Sequence, residues 1–285
     1  MTNRMQEIIS AGRTAVITGA AKGIGAAIAR ELAARGMKLA LFDQDGAALE
    51  ALAQSLETDP LSVVGDVASM DDLTRLHAQT MARFGAVDLL INNAGMMKKA
   101  SPWDTPEAWR EMLDVNFTSV LTAQHLFVPG MIASNRPAAI INLGSKEGIT
   151  TPPGNAAYSV AKAGIKVLTE QLEHELRNAT EGRVSAHLLV PGYTWTPMNF
   201  PDMRESDAKP AAPWSAGQVA EYFIARLLKG DFYIICPDNE VTPNIDARRI
   251  RWAAEDMIQN RPALSRWHPD WASRFADWMK EGDLR

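Results

Sequence analysis

The chain has 285 residues, with 29 lysines and arginines against 34 aspartates and glutamates and a formal net charge of −5. This length suffices for a large α/β domain with a sizeable core, and the 46% hydrophobic and 22% charged residues are typical of globular proteins. The negative charge argues against the basic surface of a nucleic-acid-binding or membrane-surface protein, so neither partner is expected.

Cys236 is the single cysteine of the sequence, so an intrachain disulfide is excluded. The first residues contain no apolar segment of the kind found in secretion signals. No run approaches the roughly 18 apolar residues that span a bilayer. Together these features predict a cytoplasmic protein. The five histidines lack the spacing of metal ligands, and no metal site is expected.

Seven short segments rich in apolar and β-branched residues predict strands. Helix-length amphipathic segments separate most of them, and parallel strands require such crossovers. The pattern therefore predicts an α/β fold, a doubly wound parallel sheet of about seven strands with helices on both faces. The predicted strands are 14–18, 38–43, 61–65, 88–92, 138–143, 183–190 and 232–236.

Two helices are predicted with particular clarity. In 156–177, apolar residues from Ala161 to Leu176 recur at helical spacing, and Ser215 with Gln218 forms a capping box before another helix. The four prolines of 197–213 predict a long surface loop. We expect residues 1–240 to form one catalytic domain that includes a substrate loop at 193–215, and residues 241–285 to form a helical C-terminal extension packed on the domain or on a partner subunit.

A glycine-rich turn follows the first predicted strand. It runs from Thr18 through Gly19, Gly23 and Gly25 and leads directly into a predicted helix. Glycines allow backbone N–H groups to approach a pyrophosphate, and the start of a helix adds unpaired donors. Such a turn also occurs as a simple tight connection between strand and helix, so it needs supporting features.

Asp43 is such a feature, because it ends the second predicted strand 18 residues beyond Gly25, where a carboxylate would bind an adenosine ribose. Lys22 in the turn favours a 2′-phosphate instead. A like-charge contact near 4 Å between such a phosphate and the Asp43 carboxylate would cost on the order of 4 kcal/mol at an effective dielectric of 20. The attraction of one exposed lysine such as Lys22 contributes less than about 1 kcal/mol. The sequence therefore favours NAD over NADP.

Tyr158 and Lys162 are four residues apart on the predicted helix 156–177, so they share one face. Taken alone, such a pair is usually part of a solvated helix surface. Its significance depends on the other motifs.

In order along the chain, these motifs resemble the short-chain dehydrogenase/reductase family over roughly residues 10–236. They are Thr18-Gly19-xxx-Gly23-x-Gly25, Asp66-Val67, Asn92-Asn93-Ala94-Gly95, Asn116, Ser145, Tyr158-xxx-Lys162 and Pro191-Gly192-xxx-Thr196. Each motif is modest, but the set at these spacings is highly specific. The resemblance implies a Rossmann-type fold, a nicotinamide cofactor and an active-site tetrad of Asn116, Ser145, Tyr158 and Lys162.

The resemblance also implies a role for each member of the tetrad. Tyr158 would be the general acid/base, and its pKa would have to fall by about 3 from a free value near 10, which is roughly 4 kcal/mol. Lys162 and an oxidised nicotinamide would supply that stabilisation, and Lys162 would hold the nicotinamide ribose. Ser145 would bind the substrate oxygen, and Asn116 would hold a water that relays the proton.

The cofactor-binding residues implied by the resemblance lie in the glycine turn, at strand ends and in the tetrad. They are Gly19, Lys22, Gly23, Ile24, Gly25, Asp43, Asp66, Val67, Asn93, Ala94, Gly95, Tyr158, Lys162, Pro191, Gly192, Thr194 and Thr196. Two positions depart from the family pattern. Gly144 precedes Ser145 where many relatives have a second serine. Val190 precedes Pro191-Gly192 where asparagine or serine is frequent, and its apolar side chain suggests a packing role. The chain also continues for nearly 50 residues after Cys236, where relatives commonly end.

Aromatic residues and methionines are concentrated where the family has its substrate lid. The predicted substrate pocket consists of Met97, Ser145, Tyr158, Tyr193, Trp195 and Met198. Such a pocket suits a bulky apolar or aromatic alcohol or ketone. The alternative is that the aromatic residues only anchor the lid and the extension.

Two helices are expected in the C-terminal extension. Trp271, Phe275 and Trp278 recur at amphipathic spacing, and 247–259 is expected to turn Ile250, Ala254, Met257 and Ile258 inward and Arg248, Arg249 and Arg251 outward. The extension would cover an active-site mouth, its own or a partner's, or pack on the edge of its own subunit.

The sequence therefore predicts an NAD-dependent oxidoreductase that interconverts a secondary alcohol and a ketone by hydride transfer. Two alternatives remain open, an NADPH-dependent carbonyl reductase and a non-catalytic dinucleotide-binding regulator. A homodimer or homotetramer is expected, because the family usually assembles through the helix that carries Tyr158 and the helix before it.

Overall fold

A computed structural model describes residues 4–204 and 207–280 of the chain, which form a parallel sheet with helices on both faces. The seven strands of the sheet are β1 (Thr14–Thr18), β2 (Lys38–Asp43), β3 (Leu61–Val64), β4 (Leu89–Asn92), β5 (Ala138–Leu143), β6 (Val184–Val190) and β9 (Tyr233–Ile235). Their order in the sheet is β3-β2-β1-β4-β5-β6-β9. All seven predicted strands are confirmed to within a residue or two at each end, and so is the Rossmann-like α/β fold.

Helices occupy the segments between the strands. They are α1 (Arg4–Ile8), α2 (Gly23–Ala33), α3 (Gly46–Ser55), α4 (Met70–Phe84), α5 (Pro106–Leu113), α6 (Ser119–Ala133), α7 (Glu147–Thr150), α8 (Ala156–Thr180), α9 (Ala216–Leu227), α10 (Pro243–Ile258) and α11 (Ala272–Lys280). The two clearly predicted helices are confirmed as α8 and α9. In the capping box of α9, the Gln218 backbone N–H donates to Ser215 Oγ at 3.1 Å, and the Ser215 N–H donates to Gln218 Oε1 at 2.9 Å.

The alternation of side chains along the strands divides the core between the two faces of the sheet. On β1, Ile17 packs with α2 and α9, whereas its neighbour Val16 packs with α4 and α6. Because both faces are covered, every residue of the central strands β1 and β5 is buried, and most of them are apolar. The strand order reverses between β1 and β4, which opens a crevice at the carboxyl ends of the strands.

The loop after β6 contains a two-stranded parallel ladder that the sequence pattern did not predict. Strand β7 (Thr194–Trp195) pairs with β8 (Trp214–Ser215), so both ends of the predicted surface loop are tied together. Strands of two residues are too short to give a periodic signal. The ladder holds residues 194–196 beside the crevice.

The C-terminal extension consists of α10, a short 3₁₀ turn at Ser265–Trp267 and α11. Helix α10 packs against α7, next to the loop that carries Ser145. The predicted spacing of α11 is seen in an aromatic cluster, in which the rings of Trp271, Phe275 and Trp278 lie 5.3–6.4 Å from that of Trp252.

The predicted orientation of α10 is wrong for Ala254, Met257, Ile258 and Arg248, whereas Arg251 is exposed as predicted. Met257 and Ile258 are 82% and 78% exposed, whereas Arg248 is 2% exposed and its guanidinium lies 4.6 Å from the centre of the Trp278 ring. The inward face of α10 therefore carries Trp252 and the stem of an arginine, because an arginine can bury its alkyl chain and stack on an aromatic ring. None of the described helices is long and apolar enough to cross a membrane.

Candidate active site

The glycine turn between β1 and α2 is tightly packed, which explains its composition. Gly19 and Gly23 have φ angles of +64° and +57°, a region that favours glycine. A Cβ atom on Gly25 would lie 2.1 Å from the Gly19 carbonyl oxygen, and one on Gly19 would lie 2.7 Å from Ala94 Cα. Side chains at these positions would block the close approach of the helix to the strand and of the turn to the end of β4.

Thr18 and Asn93 connect the glycine turn to β4. Thr18 Oγ1 accepts hydrogen bonds from the backbone N–H groups of Asn93 and Ala94 at 3.1 and 3.2 Å. In return, Asn93 Nδ2 donates to the carbonyl oxygens of Thr18 and Gly19 at 2.9 and 2.8 Å. The amide of Asn93, predicted to bind the cofactor, thus shapes the turn, and Thr18 gains a positioning role that the motif alone did not indicate.

Asp43 lies at the end of β2, and its carboxylate borders the crevice. It accepts hydrogen bonds from the backbone N–H groups of Ala21 at 2.9 Å and Asp45 at 3.0 Å. Lys22 is directed to a different carboxylate, since its Nζ lies 2.5 Å from Asp45 Oδ2. The hydrogen bond from Lys22 lowers the pKa of Asp45, whose other oxygen caps α3. Asp45 therefore partly neutralises the one cation of the turn.

Asp66 and Val67 line a second cavity together with Gly19 and Asp43, next to the main one. The Asp66 carboxylate accepts a hydrogen bond from the Ala68 N–H at 2.9 Å, which fixes the loop after β3. This places Asp66 and Val67 beyond Asp43, at the end of the crevice away from Tyr158.

Strand β5 and helix α8 bring three members of the predicted tetrad together. Ser145 follows β5, and Tyr158 and Lys162 lie one turn apart on α8, with Lys162 Nζ 5.8 Å from the centre of the Tyr158 ring. Lys162 Nζ donates to the Leu143 carbonyl oxygen at 2.9 Å, so the ammonium is anchored to the end of β5. Ser145 Oγ accepts the Glu147 N–H at 3.1 Å, which fixes the hydroxyl at the start of α7.

Asn116 lies in a π-helical turn, Asp114–Thr118, between α5 and α6, and is fully buried. Its amide donates to the Met96 and Met112 carbonyl oxygens at 3.0 Å each, and its Oδ1 accepts the Met96 N–H at 3.1 Å. A Cβ on Gly95 would be 2.9 Å from Asn116 Oδ1 and 3.8 Å from Lys162 Nζ, so these two tetrad residues approach each other beside Gly95, which lines the main cavity together with Ser145 and Tyr158. The Asn116 side chain itself holds the segment that follows β4.

The protein groups alone favour the neutral forms of the two titratable tetrad residues, Tyr158 and Lys162. Burial raises the pKa of Tyr158 to about 12, although the hydrogen bond with Ser145 opposes the shift. Burial likewise lowers the pKa of Lys162 to about 8. The pKa of Tyr158 thus lies above its ordinary value, opposite to the shift that catalysis near neutrality requires, and a positive charge bound beside the phenol would oppose this rise.

The main cavity has a volume of about 650 Å³ and extends from the glycine turn and Asp43 to Ser145 and Tyr158. At the Tyr158 end it is lined by the predicted residues Met97, Tyr193 and Met198. Met96 lines it beside Met97, and so do Glu147 and Asn199, which were not predicted. Pro191, Gly192, Thr194 and Thr196 form its upper wall.

Trp195 is a correction to the predicted substrate pocket. Of the described residues, those lining the cavity include Thr194 and Thr196 but not Trp195. The residues alternate in direction along strand β7, so the tryptophan between the two threonines points away and its ring packs 4.2 Å from that of Phe200. Trp195 therefore stiffens the lid and does not line the pocket.

Both departures from the family pattern next to Ser145 have packing explanations. A Cβ on Gly144 would lie 3.1 Å from Leu188 Cδ1, tighter than ordinary contact. Val190 is fully buried in an apolar cluster with Val120 and Ile165, as predicted from its apolar side chain.

A cluster of charges beside Ser145 was not predicted. Lys146 Nζ lies 2.7 Å from Asp246 Oδ2 on α10 and 3.8 Å from Asp238 Oδ2. Asp238 Oδ2 in turn accepts the Tyr193 N–H at 3.2 Å. These residues connect the catalytic loop, the lid and the extension, but up to 100 residues of chain separate them, so no local motif could have revealed the cluster.

The residues that line the crevice are of the kinds that bind a dinucleotide. The glycine positions leave backbone exposed where side chains would block an approach, and the Asp43 carboxylate faces the same space. Among the described residues, no group of three or more histidine, cysteine or acidic side chains is arranged to hold a metal ion.

Comparison with known proteins agrees with this geometry. The model of the short chain dehydrogenase family matches residues 13–206. The chain is 34% identical over 206 residues to a 3β-hydroxysteroid dehydrogenase of Eggerthella lenta, covering 70% of this chain and 77% of that protein.

Solved structures show the same fold. A short-chain dehydrogenase/reductase from Burkholderia phymatum, in complex with NAD, superposes with a TM-score of 0.79 at 30% identity, covering 88% of this chain and 96% of that one. A metagenomic short-chain oxidoreductase in complex with NADP superposes with a TM-score of 0.65 at 27% identity, covering 80% and 97%. Both nicotinamide dinucleotides thus occur among similar structures.

Proposed function

The chain belongs to the short-chain dehydrogenase family, and we propose that it is an NAD-dependent oxidoreductase that interconverts a secondary alcohol and a ketone. One observation carries this proposal. A single cavity has the glycine turn and Asp43 at one end and Ser145, Tyr158 and Lys162 at the other. A dinucleotide bound along it would bring its reactive ring to the only end where a buried phenol, hydroxyl and ammonium meet among the described lining residues.

In this proposal Tyr158 moves the proton and Ser145 holds the reacting oxygen. Ser145 Oγ accepts the Glu147 N–H and is hydrogen-bonded to Tyr158, so its hydroxyl lies beside the phenol, where it would turn to donate to that oxygen. Lys162, anchored on the Leu143 carbonyl, places its positive charge next to the phenol and favours the phenolate. The cofactor supplies or accepts the hydride and, when oxidised, adds a positive charge. Asn116 keeps the segment at Met96 in place.

Asp43 and the pairing of Lys22 with Asp45 support NAD as the cofactor. A 2′-phosphate would meet the Asp43 carboxylate, while Lys22, the cation of the turn, is already paired with Asp45. Wild-type enzyme should therefore bind NADH more tightly than NADPH. A strong preference for NADPH in equilibrium titrations would favour the alternative of an NADPH-dependent carbonyl reductase.

The substrate side supports a bulky apolar or aromatic alcohol or ketone. Met96, Met97, Met198 and Tyr193 line the same cavity as Ser145 and give it an apolar surface. Methionine and tyrosine adapt to irregular apolar shapes, which suits a flat or branched hydrocarbon skeleton.

Replacement of Tyr158 by phenylalanine tests the assignment. The Tyr158→Phe variant should fold and bind NADH like wild type but lose at least about 10²-fold in turnover, because general acid/base catalysis typically contributes that much. Turnover is measured as the NADH absorbance change with aromatic and alicyclic alcohols and ketones. Full activity of the variant would refute the role of Tyr158, and NAD binding without turnover of any compound by wild type would favour a non-catalytic regulator.

A further inference from the structure

The charged side chains at the substrate end of the cavity differ in whether another group of the protein pairs with them. Lys162 donates to the Leu143 carbonyl, and Lys146 is paired with Asp246 at 2.7 Å. Glu147 lines the same end, but within residues 4–204 and 207–280 no hydrogen bond or ion pair to its carboxylate is formed. The adjacent lysine is thus already engaged and leaves Glu147 uncompensated.

Glu147 is held close to the reacting groups. Its backbone N–H donates to Ser145 Oγ at 3.1 Å, and its carboxylate is near enough to Tyr158 to raise the pKa of the phenol. The side chain is only half-buried, and burial raises its own pKa. A partly desolvated carboxylate without a partner is unfavourable, and a donor on a bound molecule would relieve that cost.

We propose that Glu147 is a specificity residue that accepts a hydrogen bond from a hydroxyl group on the substrate, within one or two bonds of the reacting carbon. The inference rests on the proposed function and narrows its substrate class to α-hydroxy ketones and the corresponding vicinal diols with an apolar remainder. Ser145 binds the reacting oxygen, and Glu147, two residues on, binds the neighbouring hydroxyl.

A neutral hydroxyl fits this site better than an ammonium group. Lys162 already contributes one positive charge to the substrate end, and an oxidised nicotinamide would bring another. A cationic substrate would be repelled by both, whereas a hydroxyl donates to Glu147 without adding charge. The three methionines around the site offer no competing hydrogen-bond donor.

Matched ketones test the proposal. NADH-dependent reduction is compared for acetophenone and its α-hydroxy, α-methoxy and α-amino derivatives, of which the methoxy compound keeps the electronic effect of the oxygen but cannot donate. Wild type should reduce the hydroxy ketone with a kcat/KM about 10- to 100-fold above that of the methoxy ketone, the range expected for a hydrogen bond to a charged acceptor.

Variants assign the preference to the carboxylate. Glu147→Leu should abolish the hydroxy-over-methoxy ratio, and Glu147→Gln should retain part of it, because an amide oxygen still accepts. Glu175→Gln, on the exposed surface of α8, is the matched control and should leave the ratio unchanged. An unchanged ratio in Glu147→Leu, or a preference of wild type for the amino ketone, would overturn the proposal.

A binding measurement separates this inference from the proposed function. Thermal stabilisation of the protein with NADH is measured for each ketone, whether or not it is turned over. Greater stabilisation by the hydroxy than by the methoxy ketone, lost in Glu147→Leu, supports Glu147 as the recognition residue even if no ketone is reduced, in which case the reaction assignment fails. If wild type favours the hydroxy ketone neither in turnover nor in binding, the inference is overturned.

Discussion

At the residue scale, the preference between NADH and NADPH depends on whether Lys22 stays in its ion pair with Asp45. Asp45 pairs with Lys22 and also caps α3 through its other oxygen, so one side chain serves both purposes. Asparagine caps helices about as well as aspartate but carries no charge. Asp45→Asn should therefore free Lys22 without destabilising α3.

The expected result is a several-fold gain in NADPH affinity relative to NADH, since an exposed ion pair contributes less than about 1 kcal/mol. Equilibrium titration of wild type and Asp45→Asn with both reduced dinucleotides measures this ratio. As a control, Lys22→Met in the Asp45→Asn background should return the ratio to the wild-type value. A ratio insensitive to both changes would mean that Lys22 does not reach the ribose 2′ position.

Lys162 illustrates a conflict between stability and catalysis. Burial lowers its pKa from 10.5 to about 8, so the folded protein holds this ammonium at a cost near neutral pH. Between about pH 8 and 10.5 the unfolded chain binds more protons at this position than the folded chain, and this contribution to the free energy of unfolding rises with pH. The cost is thus greatest below pH 8 and vanishes above 10.5.

Lys162→Met should accordingly be inactive but more stable than wild type at pH 7, by about 1–3 kcal/mol of unfolding free energy. The gain should shrink as the pH rises toward 10.5. Urea unfolding at a series of pH values checks both the sign and the window. A variant that is less stable at pH 7 would show that the bond to the Leu143 carbonyl outweighs the desolvation of the ammonium.

At the scale of elements, the contact between α7 and α10 depends on one lysine between two carboxylates. The side chains of Lys146 and Asp246 are 22% and 9% exposed, so removing one partner leaves a largely buried charge. Lys146→Met removes the cation that contacts both Asp246 and Asp238 and leaves Asp246 only the weaker attraction of Arg249, whereas Asp246→Asn leaves Lys146 with Asp238 at 3.8 Å. The lysine variant should therefore be the less stable of the two.

We expect Lys146→Met to cost about 2–4 kcal/mol and Asp246→Asn about 1–2 kcal/mol, with the double variant less destabilised than the sum. Urea unfolding of all four proteins gives the coupling free energy. The exposed pair of Asp277 and Lys280 on α11 is the matched control, and the same cycle there should give less than about 1 kcal/mol. Strict additivity at Lys146 and Asp246 would contradict the role of this pair in holding α10.

Some elements of the fold could be predicted from the sequence alone, and others could not. The strands and α8 were predictable because periodicity and composition along a short segment determine them. The glycine turn was predictable because its φ angles and close contacts allow few residues other than glycine. The orientations of Trp195 and α10 were not, since one depends on the ladder with residues 214–215, and the other on Arg248 stacking on Trp278. Contacts between distant segments carry no local signal.

At the scale of the whole molecule, α6 and α8 have apolar side chains on their outer surfaces. Leu121 on α6 is 47% exposed, and Val160 and Val167 on α8 are 51% and 53% exposed. These helices are the ones through which the family resemblance predicts assembly. We propose that the three residues lie in a homodimer or homotetramer interface, because burying such side chains stabilises association in proportion to the apolar area removed from water.

Val167→Glu should weaken this assembly, because a charge placed in a closed apolar interface loses its hydration without gaining a partner. The twofold symmetry of such an interface would introduce the charge on both subunits at once. Light scattering after size exclusion should give a multiple of the 31.2 kDa chain mass for wild type and a smaller assembly for the variant. Met257→Glu is the control, since Met257 is 82% exposed on α10, away from α6 and α8, and should leave the mass unchanged. A wild-type mass of one chain, or an equal loss of assembly in the control, would place the interface elsewhere or exclude it.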